Sequence, residues 1–90
     1  MKIQEIPSNT EVYICEHVFS RSALPMLFAR EQSGELVATC GCEVRKAHLV
    51  GFWHLVKYFN EIKKEEMPSK GFHFAKDPNT GCWGKGTLER

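Results

Sequence analysis

Up to Cys42 the apolar residues of this chain alternate, and from Leu49 onward they recur at spacings of three and four. That change of period limits the architecture more than any other feature. Alternation sends successive side chains to opposite faces of a strand, whereas three-and-four spacing lines one side of a helix. The run Glu11–Phe19 is dense in β-branched and aromatic residues and predicts a first strand. Its two faces, Val12, Ile14, Glu16 and Val18 against Tyr13, Cys15, His17 and Phe19, are both largely apolar, which predicts a central position. Leu24–Arg30 reads as a second strand with Pro25 confined to its start or to an edge. Glu31–Glu35 supplies turn chemistry and Leu36–Cys42 a third strand, close enough for a hairpin.

Beyond Cys42 the pattern predicts a partly extended stretch over Val44–Val50 and a helix over Phe52–Phe59. A second short helix is predicted over Glu61–Glu66, capped by Asn60 and ended by Met67-Pro68. Gly71–Lys76 alternates as a late strand, followed by a turn at Asp77–Gly81 and a Gly-rich tail around Trp83. The expected fold is therefore α+β: a small antiparallel sheet, a three-strand meander plus the late strand, with one or two short helices on one face.

At 90 residues and 42% hydrophobic content the chain is expected to form a single domain over residues 1–90, with a polar lead-in at 1–10 and a frayed tail at 87–90. Folding should remove roughly 64% of the extended chain's surface from water, enough for a core without a metal or disulfide. No apolar run nears the length of a membrane-spanning helix. Twelve basic and eleven acidic side chains leave no strong field, so neither nucleic acid nor a membrane surface is the expected partner. The first residues, Met1 to Pro7, lack the apolar stretch of a secretory signal, which points to the cytoplasm. In that compartment four cysteines are expected as thiols or metal ligands rather than disulfides.

Cys15-x-His17 and Cys40-x-Cys42 are the motifs richest in chemistry. Each spacing puts two soft donors on one strand face, and zinc takes four such groups in a tetrahedron. Strand order decides whether they meet. If strands one and three are neighbours the donors can converge; if strand two lies between, the backbones stand about 9–10 Å apart. One-residue spacing is also less favourable than the C-x2-C knuckle. The expectation is therefore no cofactor, with zinc on Cys15, His17, Cys40 and Cys42 as the alternative. A nucleophilic pairing of Cys15 with His17 is disfavoured, because side chains two apart on a strand are separated by about 6–7 Å. Trp53 and His54 lie in the predicted helix with apolar residues almost all round, and Trp83 lies in a Gly-rich segment; these three are the candidate binding residues. The segment Gly81–Gly86 lacks the spacing of a phosphate loop.

These motifs resemble the pattern of a family of short bacterial proteins of uncharacterised role. The family has an early C-x-H-V, a strand opening with Pro, a turn Gly followed by an aromatic strand ending Cys-Gly, a helical His-Leu, a Leu-Pro turn leading to Gly-Trp, and a terminal G-x-W-x-R. Here these fall at Cys15, His17 and Val18; Pro25; Gly34, Cys40 and Gly41; His54 and Leu55; Met67-Pro68; Gly71-Phe72; and Gly81, Trp83 and Lys85, covering most of residues 12–85. Leu36 and Ala38 stand where the family has Trp and Phe, Phe59-Asn60 replaces its Asp-Pro, and Cys42 has no family counterpart. The family is distantly similar to small domains of bacterial immunity proteins, which act by binding another protein. The resemblance implies a non-enzymatic protein-binding module, for another protein or for itself. The zinc-binding domain is the alternative, and a Cys/His-dependent enzyme a more distant one.

Overall fold

The computed structural model describes residues 1–41 and 46–87. Six strands form one mixed sheet: β1 (Glu11–Cys15), β2 (Leu27–Arg30), β3 (Leu36–Thr39), β4 (Ala47–Gly51), β5 (Phe72–Lys76) and β6 (Trp83–Thr87), in the order β4-β1-β3-β2-β5-β6. Among the described residues a single α-helix, the four-residue α1 (Glu16–Phe19), occurs, directly after β1. The expected antiparallel meander with one or two helices is thus incorrect. β2 and β3 do form the antiparallel hairpin, Leu27 opposite Thr39 and Arg30 opposite Leu36. Gly34 turns it, with φ 96° and its N–H bonded to the Glu31 carbonyl at 2.8 Å. β1, however, pairs with β3 in parallel, Ile14 beside Ala38, and with β4 on its other edge, Ile14 opposite His48. β1 has strands on both sides, and so does β3.

Two further departures concern elements. The run expected as one strand through Phe19 breaks at Cys15 and coils into α1. The segment expected as a helix over Phe52–Phe59 forms two 3-10 turns, Phe52–His54 and Val56–Phe59, and Glu61–Glu66 holds turns rather than a helix. The tail around Trp83 is the edge strand β6, paired along its whole length with β5. Of the expected frayed tail only Thr87 falls among the described residues.

Strand alternation places Val12, Ile14, Leu36, Ala38, Phe28 and Phe74 on one face, where all are buried. Against them pack Phe52, Leu55, Phe59 and Ile62 from the turns and Ile3 and Ile6 from the lead-in, giving one contiguous core. The lead-in is anchored by backbone bonds from Ile3 and Gln4 to the Glu65 and Lys63 carbonyls. Three phenylalanines meet at its centre, with Phe28 and Phe59 ring centroids 4.6 Å apart. The sheet therefore buries one face beneath a layer of turns. Among the described residues no helix is long and apolar enough to cross a membrane.

Candidate metal centre

The parallel pairing of β1 with β3 puts the C-terminal ends of both strands at the same edge of the sheet, and each strand ends in a cysteine or just before one. Continuing the register beyond Ile14–Ala38 sets Cys15 beside Thr39, with Cys40 one residue further. The Cys15 and Cys40 sulfurs lie 3.7 Å apart. His17 joins them from α1: its Nδ1 is 3.7 Å from the Cys40 Sγ, and the three donor atoms all fall within 4.8 Å of one another.

These distances carry chemical information. In a zinc tetrahedron with Zn–S near 2.3 Å and Zn–N near 2.0 Å, the edges between donors measure about 3.8 Å for S···S and about 3.5 Å for S···N. Two edges already match, and the third, no longer than 4.8 Å, needs to shorten by at most about 1.3 Å to close around an ion. The donor set, two thiols and an imidazole, suits a borderline-soft cation. Burial grades across the site: Cys15 is 1% exposed, Cys40 is partly buried and His17 is exposed. The centre is thus rooted in the core and open on the imidazole side.

Local folding explains why His17 arrives there. A continuing strand would carry its side chain on along the sheet; instead the chain coils at Glu16 and closes again after one turn. The closure is a Schellman arrangement, with the Ser22 N–H on the His17 carbonyl at 2.9 Å and the Arg21 N–H on the Val18 carbonyl at 3.2 Å. The Ala23 N–H and the hydroxyls of Ser20 and Ser22 also donate to the His17 carbonyl, at 3.2, 3.3 and 3.1 Å. Four donors therefore hold the ligand-bearing residue by its backbone. On the other strand, the buried Thr39 hydroxyl accepts the Gly41 N–H at 3.2 Å, and Gly41 turns the chain away with φ 92°. Ser20, Ser22 and Thr39 are positioning residues that strand periodicity does not reveal. The only sequence sign of them is a hydroxyl-rich stretch that reads as an ordinary loop.

The remaining candidates are not part of this cluster. Cys42, the expected fourth donor, lies outside the described residues. Trp53 stacks on His54 with ring centroids 3.5 Å apart, and Trp53 is 59% exposed. Trp83 meets Phe59 edge-on at 5.8 Å and packs against the core, its indole N–H buried. It is a partly buried strand residue and does not project from a loop. Cys82 is exposed in the β5–β6 connection. No family model matches the chain, and comparison with curated proteins and with solved structures finds no significant match.

Proposed function

We propose that this chain is a small zinc-binding module in which Cys15, His17 and Cys40 hold the ion across the ends of two parallel strands. The observation that carries the reading is the mutual proximity of the three donor atoms, within 4.8 Å, with two edges at the spacing zinc requires. Binding draws both thiols into the thiolate form and the imidazole into its neutral form, releasing protons. The ion then cross-links β1, α1 and β3, elements brought together from positions 25 residues apart in the chain. The fourth position falls to water or to a further protein donor; replacing Cys42 by Ser asks whether that residue supplies it.

Elemental analysis of protein purified without chelator tests the proposal, together with cobalt substitution. One zinc per chain is expected, and cobalt should give the intense visible bands of a tetrahedral thiolate site. Both signals should disappear in Cys40→Ser and persist in Cys82→Ser. Metal-free protein that also fails to take up cobalt would overturn the proposal.

A second reading is supported by a different observation. Trp53 and Val56 are 59% and 43% exposed on consecutive turns, an apolar surface of the kind that protein interfaces use. On this reading the module binds another protein there, and Trp53→Ala should abolish capture while leaving zinc content unchanged.

A further inference from the structure

α1 and the turn that closes it also form one wall of a cavity of about 230 Å³, bounded by β1, β4 and residues 54–58. Its floor is apolar: Ile14, Val18 and Leu55 are all buried. Its rim is cationic: Arg21 and Lys57 stand at the mouth with His54 beside them. Among the described residues no carboxylate lines the cavity, and neither Arg21 nor Lys57 forms an ion pair. The Lys57 ammonium lies 5.1 Å from the ring centre of Tyr58, another lining residue, so the charge sits directly beside an aromatic wall. On a chain that is close to neutral overall, two cations beside an apolar floor, with no ion-pair partner among the described residues, are a concentrated feature.

We infer that this cavity binds a small carboxylate with an apolar or aromatic body. The body covers Phe19, Val50 and Tyr58, the lining residues that keep accessible apolar surface above that floor, and the carboxylate meets Arg21 and Lys57. Each part of the ligand follows from one part of the cavity. The guanidinium offers parallel N–H donors that match a carboxylate in two-point contact. The floor rewards an apolar body and gives nothing to a bare phosphate, which would remain hydrated. At interior packing density the volume holds about ten non-hydrogen atoms, the size of a benzoate or a medium-chain acid. Arg21 reaches the rim from φ 63°, a backbone conformation where glycine is the usual occupant. The chain thus keeps a cation at a position that backbone sterics disfavour.

The test is a titration of benzoate into the isotopically labelled full chain, read by backbone amide shifts. Saturable shifts centred on Val18–Arg21 and His54–Tyr58 are expected. Arg21→Gly and Lys57→Gln should each weaken binding about 3–10-fold, the effect of removing one partly exposed charged contact. Arg21→Gly relaxes the backbone, so its loss of affinity cannot be ascribed to misfolding. Benzyl alcohol, of the same shape without the charge, and inorganic phosphate, with charge but no body, should bind at least tenfold more weakly. Non-saturating benzoate shifts would overturn the inference. So would equal binding of benzyl alcohol or phosphate, or wild-type affinity in both variants. None of these readouts depends on the metal.

Discussion

Arg21 occupies the left-handed region at the residue after the α1 cap, where a Cβ crowds the following carbonyl. Removing that Cβ relieves about 1–2 kcal/mol, offset in part by the extra freedom glycine brings to the unfolded chain. Arg21→Gly is therefore expected to stabilise the domain by roughly 0.5–1 kcal/mol, a rise of a few degrees in Tm. Thermal unfolding checks this; a fall would mean that guanidinium contacts outweigh the strain. The cysteines differ in the same local terms. Cys15 is fully buried, so Cys15→Ser puts a hydroxyl into the core at a cost of about 1–3 kcal/mol even without a metal. Cys40 is only partly buried, which makes Cys40→Ser the cleaner variant for separating metal loss from destabilisation. Cys82→Ser, at an exposed position, should change stability by less than about 0.5 kcal/mol.

The segment from Phe52 to Ile62 shows how spacing and hydrogen bonding can part company. Phe52, Leu55, Phe59 and Ile62 are all buried and lie three or four residues apart, the helical pattern the sequence displays. The backbone bonds nevertheless run from Leu55 to Phe52, Tyr58 to Leu55 and Ile62 to Phe59, each spanning three residues. Successive short turns present nearly the same side chains to the sheet as a helix would. The composition explains the choice, since Gly51, four aromatics, Val56 and Asn60 are all weak helix formers. Trp53 and Val56 fall off the buried line and face water. Phe59, with no exposed surface and ring contacts to Phe28, Phe52 and Trp83, is expected to cost about 3–5 kcal/mol on replacement by Ala, measured by denaturant unfolding. Acrylamide should quench Trp53 strongly and Trp83 weakly, a contrast that single-tryptophan variants resolve. Equal quenching would contradict the packing of β6 on the core.

At the scale of the whole molecule the candidate metal centre is a product of strand order. In the expected meander β2 would separate β1 from β3 and hold the two cysteines about 9–10 Å apart. With β2 moved to the outer edge of β3, the parallel neighbours end side by side and their sulfurs come within 3.7 Å. On the proposed zinc reading, a bound ion would fasten the join between β1 and β3 that the chain makes without a tight turn. At a free metal concentration of 100 times Kd, binding contributes about 2.7 kcal/mol. For a domain of this size that corresponds to a Tm change of roughly 10–20 °C. Chelation is expected to lower Tm by about that much in the wild type and by nothing in Cys40→Ser. An unchanged wild-type Tm would mean that no ion cross-links the strands.

Periodicity and turn chemistry by themselves determined the extended segments that become β1, β2, β3 and β5, the β2–β3 hairpin through Gly34, and the donor motifs at Cys15, His17 and Cys40. These are local properties, set by which side chains share a face and which residue tolerates a positive φ. The tertiary structure alone decided that β1 pairs with β3 and β4, that the chain coils at Glu16, and that β6 extends the sheet. Backbone N–H and C=O groups pair alike for every sequence, so a strand's neighbours are selected by how the whole set of apolar faces can be covered at once. The coil at Glu16 is selected in the same way, because Ser20, Ser22 and Ala23 find their acceptor only once the chain has turned. Two strand ends and one helical turn had to meet before three scattered donors became a site.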